Sequence, residues 1–256
     1  MMGLSTFFMI GYPLLFLGLR QYTEGDWTVN PFDFIAELKN FFRDYVNPSN
    51  ALAMQKYMRY QFPFLGIKTP ERKQLLRQFL STHSFQPEQL TDVVKGLWLL
   101  PEREFHYVAM DLLLMYRKKG WLKEDIQLIE ELIVTKSWWD TVDVLAPRMA
   151  GPYVRQYPEK GRQVLDQWIE SDNKWLKRSA IIHQLRFKEE TDEQLLYRYI
   201  LQSKDTKEFF IQKAIGWALR EYAKTNPESV RRFVSETELP ALSRREALKH
   251  LKKGEG

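Results

Sequence analysis

The sequence predicts an all-α protein whose helical hairpins stack side by side into a curved solenoid. From Pro31 onward, apolar residues recur at helical spacing in segments of roughly 10–18 residues, and no run alternates strictly enough to form a sheet. Small residues also return at a nearly constant interval, which is typical of repeated helix pairs. A simple bundle of helices of the same length is the alternative.

Helix boundaries can be placed along the chain from turn and cap residues. Thr69, Pro70 and Glu71 predict a helix start, with Thr69 as cap, proline at the first position and an acid in the first turn. Similar starts are predicted at 101–102 and 206–208. The predicted breaks fall at Gly66, Gly120, Gly151, Pro158, 188–190, 226–227 and Pro240.

The repeat is marked by a small residue on the second helix of each pair. Ala180 precedes Ala214 by 34 residues, Ala214 precedes Ala247 by 33, and Asp143 follows Ala109 by 34. In this register Asp143 stands where other units have alanine. An acid close to the surface shared by neighbouring repeats is costly to bury without a partner.

The first 30 residues differ in character from the rest of the chain. Residues 4–19 are apolar but interrupted by Pro13, whereas a spanning helix needs about 20 apolar residues. A secretory signal would carry a basic flank and a small-residue cleavage site, which this segment lacks. We therefore expect residues 1–30 to be an extension outside the fold and residues 31–256 to form a single domain. A short membrane anchor is the alternative.

Composition excludes several classes of function. The chain has no cysteine, so it has neither disulfides nor thiolate metal sites, which fits a cytoplasmic location. Its four histidines are scattered, and it has no H-E-x-x-H, no Gly-rich phosphate loop and no G-x-S-x-G elbow. These features argue against metalloenzymes, nucleotide enzymes and serine hydrolases.

The positive charge is concentrated in the last third of the chain. Residues 1–170 hold 20 Lys and Arg against 20 Asp and Glu, whereas residues 171–256 hold 18 against 13. Aromatic residues are interleaved with this excess. A basic surface dotted with aromatics is typical of nucleic-acid binders, although many other proteins have a similar excess.

The most informative stretch is Trp138-Trp139-Asp140-Thr141-Val142-Asp143. If it is helical, Trp139 and Asp143 lie one above the other on the same face. An indole face beside a carboxylate can hold a cation, because the ring attracts positive charge and the anion pairs with it. The alternative is a core tryptophan and a solvated acid.

The inner helices of the next repeats extend this surface. Arg178 lies one repeat after Asp143, within reach of it, and a structural salt bridge is the alternative to a binding role. Core packing is the interpretation we favour for Trp98, Trp121, Trp138 and Trp168. The predicted concave surface comprises Trp139, Asp143, Trp175, Arg178, Lys213, Trp217, Arg220 and Lys224.

Several longer stretches, in order, carry a resemblance that covers nearly all of residues 31–253. They are residues 57–58, 62–72, 100–105, 131–140, 171–176, 207–224 and 242–247. Together they resemble the DNA alkylation repair family of HEAT-like-repeat glycosylases. The order and the coverage make the resemblance far more specific than any short motif.

The resemblance implies a right-handed superhelical solenoid of HEAT-like repeats whose concave face takes duplex DNA containing alkylated purines. Such enzymes hydrolyse the N-glycosidic bond of cationic bases such as 3-methyladenine and 7-methylguanine without the usual extrusion of the base. It implies no metal, no organic cofactor and no obligate protein partner. We expect a monomer, cytoplasmic and on the nucleoid when bound to DNA.

The resemblance also implies roles for individual residues. Asp143 would be the carboxylate at the scission site, Trp139 and Trp217 platforms against the lesion nucleotide, and Arg178 a phosphate contact. A departure is Lys68, where an amide is expected. The residues that match the DNA-facing cleft are Tyr57, Phe209, Phe210, Arg220 and Lys224, with Lys213 beside them.

A non-catalytic helical-repeat scaffold that binds DNA or protein is the competing class. Asp143 discriminates between the two, because a scaffold for an anionic polymer has no reason to place an acid amid tryptophan and arginine.

Overall fold

The computed structural model describes residues 30–249 and 251, and within this part of the chain every regular element is helical. The all-α prediction is therefore confirmed. The interpretations of the N-terminal extension, as a segment outside the fold or as an anchor, concern residues that lie outside the described ones, apart from Asn30.

The helices follow one another with short connections. Their bounds are α1 Pro31–Arg43, α2 Pro48–Tyr57, α3 Thr69–Leu80, α4 Leu90–Leu99, α5 Arg103–Tyr116, α6 Asp125–Val134, α7 Trp139–Leu145, α8 Gly151–Gln156, α9 Pro158–Glu170, α10 Lys174–Ile182, α11 Glu193–Ser203, α12 Phe209–Tyr222, α13 Pro227–Glu236 and α14 Ala241–Ala247. Short 3₁₀ turns occupy Pro87–Gln89 and Lys188–Glu190, and a π-helical segment occupies Ala146–Ala150.

The starts of several helices are fixed by asparagine side chains. Asn30, Asn47, Asn173 and Asn226 each accept a hydrogen bond from a backbone N–H of the first turn that follows. The predicted cap at Thr69 is wrong by one residue. Thr69 is already helical, and Lys68 stands at the cap position without a side-chain hydrogen bond, because Pro70 fixes the first turn there.

The helices from α4 to α14 form two layers of a helical-repeat fold. Inner helices α5, α7, α10, α12 and α14 pack against one another in sequence, and outer helices α4, α6, α9, α11 and α13 pack on their partners. The inner helices start at intervals of 36, 35, 35 and 32 residues, which confirms the repeat. The small residues behave as predicted: Ala109, Ala180, Ala214 and Ala247 are fully buried.

The inner helix of the second pair is unusual because α7 and α8 form one rod joined by the π-helical segment. Pro147 lies in this segment, and it has no N–H to give to the carbonyl of Asp143, four residues earlier. A π turn is one way a helix passes such a point, and such turns are frequent at functional sites.

The tryptophans are divided between the core and the inner surface. Trp98, Trp121 and Trp168 are buried, as predicted, and Trp138 is half-buried. Trp175 is a correction: it was expected on the concave surface but is 7% exposed, because it packs against the rings of Trp138 and Phe210.

No helix in the described part of the chain is long and apolar enough to cross a lipid bilayer.

Candidate active site

Helix α7 presents Trp139 and Asp143 on one face, as their spacing predicts, at the wall of an open cleft of about 270 Å³. We call it the carboxylate cleft. Most of the residues predicted to form the site meet here, although they come from three helices of successive repeats. Its lining comprises Trp139, Asp143, Arg178, Phe209, Phe210, Lys213, Trp217, Arg220 and Glu246.

Asp143 is held by a two-pronged ion pair with Arg178. Nε of Arg178 lies 2.8 Å from Oδ1 of Asp143, and Nη2 lies 2.9 Å from Oδ2. Both side chains are largely buried, with 17% of Asp143 and 5% of Arg178 exposed. Burial raises the pKa of Asp143 above the ordinary aspartate value, and the Arg178 guanidinium opposes that rise.

The remaining contacts of Arg178 tie the ion pair to the next repeat. Nη1 donates to the carbonyl of Phe210 over 2.6 Å, and the guanidinium lies 5.9 Å from the ring centre of Trp217. In this arrangement Arg178 joins the carboxylate of one inner helix to the two inner helices that follow. The salt bridge that was the alternative to a binding role is present, and Arg178 is buried rather than exposed to an incoming polymer.

A second ion pair joins α7 to the preceding repeat. Arg103 is fully buried and donates to both carboxylate oxygens of Asp140, at 2.9 and 2.7 Å. Tyr107 donates to the same carboxylate over 2.6 Å. His106 accepts from Arg103, and burial lowers its pKa to about 4, so it is neutral. Helix α7 is therefore held by arginines from the repeats on both sides.

Two cations of the cleft are paired with an acid that the sequence alone did not single out. Glu246 on α14 lies 3.1 Å from Nζ of Lys213 and 2.6 Å from Nη1 of Arg220. Burial alone would raise the pKa of Glu246, but these two cations outweigh it and lower that pKa. The acid compensates much of the positive charge expected at this wall.

Tyr57 and Lys68 line a second cavity, of about 310 Å³, on the other side of Trp139. The Tyr57 ring meets the Trp139 ring edge-on at 5.8 Å and is 72% exposed. The loop that carries Lys68 is fixed from below by Glu104, a fully buried carboxylate that accepts from three successive backbone N–H groups, those of residues 65–67. Gly66 in this loop has φ +91°, and a Cβ there would lie 2.0 Å from the Asn47 carbonyl oxygen.

Lys224, like Tyr57, is a predicted site residue that does not line the carboxylate cleft. It follows the end of α12 at Tyr222, so the helical spacing from Arg220 does not extend to it. Its Nζ pairs with Glu221 over 2.7 Å. A DNA contact from Lys224 stays a prediction.

Sequence reasoning missed three cations that lie next to Asp143. Arg148, Arg186 and Lys188 line a cavity of about 410 Å³ that Asp143 and Trp217 also line. We call it the basic pocket. Helical spacing could not predict that these three residues meet, because Arg148 lies in the π-helical segment and the other two lie in the connection after α10.

Within the described residues, no group of three or more His, Asp and Glu side chains could hold a metal ion. In the carboxylate cleft, the Asp143 carboxylate and its partner Arg178 lie among aromatic side chains, and Glu246 pairs with the two other cations. Such a set can stabilise positive charge on a bound group and can orient or deprotonate a water molecule.

The fold and the site define a helical-repeat protein with an acid–tryptophan cleft on its inner helices. The model of the DNA alkylation repair enzyme family matches residues 38–251. The chain belongs to that family.

The solved structures include a relative described as "Predicted DNA alkylation repair enzyme from Enterococcus faecalis". It is 37% identical in sequence, superposes with a TM-score of 0.74, and the match covers 81% of this chain and 97% of that chain. None of the curated proteins matches the sequence.

Proposed function

We propose that this DNA alkylation repair enzyme is a glycosylase that hydrolyses the N-glycosidic bond of cationic alkylated purines, such as 3-methyladenine and 7-methylguanine, in duplex DNA. The observation that carries the proposal is the Asp143 carboxylate, largely buried, in a cleft that Trp139 and Trp217 also line. Duplex DNA that contains such a base is the proposed substrate, and the scheme uses no metal or organic cofactor.

The chemistry suits a carboxylate with no strong acid beside it. An alkylated purine already carries positive charge, so it leaves without protonation. Its departure develops positive charge on the sugar, which the Asp143 carboxylate stabilises by electrostatic attraction. The same carboxylate orients or deprotonates the water that attacks C1′, which leaves an abasic site.

The two tryptophans supply the selectivity for charge. A cation against an indole face gains about 0.5–2 kcal/mol, and the gain is larger where water is excluded. Trp139 and Trp217 are both only partly buried, so their rings are available to the lesion and the sugar. Neutral lesions gain none of this and should be poor substrates.

Arg178 is a positioning residue in this proposal. Its two-pronged pair keeps Asp143 ionised and fixes the plane of the carboxylate. The resemblance implies a phosphate contact for Arg178 instead. Its burial and its contacts with Asp143 and Phe210 support the positioning role.

The remaining cleft residues are proposed to meet the DNA. Tyr57 and Phe209 are exposed aromatic side chains, 72% and 53% accessible, and suit stacking against sugars or bases, with Phe210 beneath them packed on the core. Lys213, Arg220 and Lys224 are proposed to approach the phosphates, a role in which each must share its charge with an acid.

The test is release of free base from methylated duplex DNA by purified protein. We expect 3-methyladenine and 7-methylguanine to be released and Asp143→Asn to lower single-turnover excision by at least about 100-fold, because a well-placed charge or general base is lost. Duplex binding should persist. The control is Asp172→Asn, an exposed aspartate in the connection before α10, which should excise normally.

Near-normal excision by Asp143→Asn would remove the carboxylate from the mechanism. Absence of base release with intact duplex binding would favour the scaffold interpretation.

A further inference from the structure

The cations around Asp143 differ in whether an acid already neutralises them. Arg178, Lys213, Arg220 and Lys224 each form an ion pair with a carboxylate. These are the cations that the sequence pattern predicted for DNA binding. Attraction for a phosphate is weakened wherever a carboxylate already lies within hydrogen-bond distance of the cation.

Arg148, Arg186 and Lys188 form no ion pair and no side-chain hydrogen bond within the described part of the chain, and all three are exposed. Two acids share the basic pocket with them. Asp143 is paired with Arg178, and Glu221 is paired with Lys224. The three cations are therefore left uncompensated.

The position of the basic pocket relates it to the reaction centre. Asp143 and Trp217 line both this pocket and the carboxylate cleft. A group in the basic pocket therefore lies next to whatever Asp143 and Trp217 contact. Consecutive phosphates of one DNA strand are separated by a single nucleoside, so a nucleotide in the cleft places a neighbouring phosphodiester close by.

We infer that the basic pocket binds a phosphodiester of the damaged strand beside the lesion nucleotide, with Arg148 and Arg186 as its principal ligands and Lys188 at its margin. Arginine presents several N–H donors in a planar fork that matches phosphate oxygens. The inference rests on the proposed function for the identity of the nucleotide in the cleft. It assigns the main phosphate contact to residues outside the predicted set.

The contact also has a function in the reaction. A fixed phosphate beside the lesion holds the sugar against Asp143, whereas Trp139 and Trp217 act on the base and the sugar themselves. Affinity from this pocket is independent of base identity, because a phosphate contact carries no sequence information.

The experiment measures binding of a duplex that carries an uncleavable abasic analogue, at several salt concentrations. Arg148→Ala and Arg186→Ala should each weaken binding and reduce the slope of log affinity against log salt by about one unit. Arg232→Ala is the matched control, because Arg232 is an exposed arginine on the outer helix α13, and it should leave both quantities unchanged. Arg220→Ala, whose cation is already paired, should change the slope by less.

A second arm locates the phosphate. A neutral methylphosphonate is placed at single linkages on either side of the analogue. At one linkage the neutral group should weaken binding of the wild-type protein, yet cause no further loss in Arg186→Ala, because the two partners of one contact are not additive.

Unchanged affinity and salt slope in both arginine variants would overturn the inference, even if base release is normal. A loss of binding in them with no base release by the wild type would instead remove the glycosylase proposal and leave the phosphate site in place. If both arginine variants bind weakly but no single linkage shows the non-additive behaviour, the pocket attracts DNA only through its general charge, and the specific contact is refuted.

Discussion

The pairing of Arg178 with Asp143 makes a prediction that separates a positioning role from a phosphate contact. In Arg178→Gln the Asp143 carboxylate loses two charge-assisted hydrogen bonds, at 2.8 and 2.9 Å, and stays largely buried. Breaking one side of a buried pair costs about 3–5 kcal/mol. Water entering the gap relieves part of this cost, and the remainder should appear as a further rise in the pKa of Asp143.

The sign of the effect follows from the form of Asp143 that acts. In the proposed mechanism excision needs the ionised carboxylate, so activity should be lost as the pH falls through the pKa of Asp143. Burial already raises that pKa in the wild type, and without Arg178 the loss should begin at a higher pH. Arg178→Lys keeps the charge but not the fork geometry, and should shift the profile less.

The assay is single-turnover release of 7-methylguanine across a pH series, corrected for spontaneous depurination and run well below the unfolding temperature of each variant. Folding stability supplies an internal check. A carboxyl whose pKa is raised in the folded state stabilises the fold less as the pH rises, so Arg178→Gln should be weakest at high pH. Adding Asp143→Asn should restore part of the loss, because no unpaired charge is then buried.

The contrary result is equally definite. In that case Arg178→Gln loses activity at the same low pH as the wild type, while its salt slope for duplex binding falls by about one unit. This result would make Arg178 a phosphate contact, as the resemblance implies, and would refute the positioning role.

Three further predictions test the support of the site. Glu104→Ala leaves three buried backbone N–H groups without an acceptor, so urea denaturation should show that the free energy of unfolding falls by about 3 kcal/mol or more. The exposed Glu159→Ala should change it little, and an equal effect of both would contradict the role of Glu104 in fixing the loop. Gly216→Ala places a Cβ 2.5 Å from the Cβ of Glu246 and should lower the free energy of unfolding by about 1–3 kcal/mol in the same experiment. An unchanged midpoint of urea denaturation would show that α14 moves to make room. Lys68→Gln should lower the salt slope of duplex binding by about one unit with base release retained; an unchanged slope would mean that Lys68 makes no ionic contact.

The fold and the grouping of Trp139, Asp143 and Arg178 could be predicted from the sequence because both depend on regular spacing along the chain. Trp139 and Asp143 share a face through a four-residue interval, and the regular repeat puts Arg178 within reach of Asp143. The first relation holds wherever a helix forms and the second wherever successive repeats stack in register, so both can be predicted without coordinates.

Pairing between charges could not be predicted in the same way. Glu246 reaches Lys213 and Arg220 only because α14 packs closely on α12, and no spacing along the chain reports that approach. Whether a cation is neutralised depends on such contacts. The sequence could therefore identify the basic third of the chain but not which of its cations are free.

Arg103 and Arg178, the two arginines that hold α7, lie in the repeats before and after it. The bonds that align the carboxylate proposed to react are therefore also bonds that join neighbouring repeats. Replacing the Asp143–Arg178 pair with apolar side chains could make the protein more stable, as replacement of a buried ion pair often does, but on the proposed mechanism it would remove the reacting group. If Asp143 acts as proposed, substitutions that raise thermostability without loss of turnover are expected at the outer helices or the connections, and not at the contact between α7 and α10.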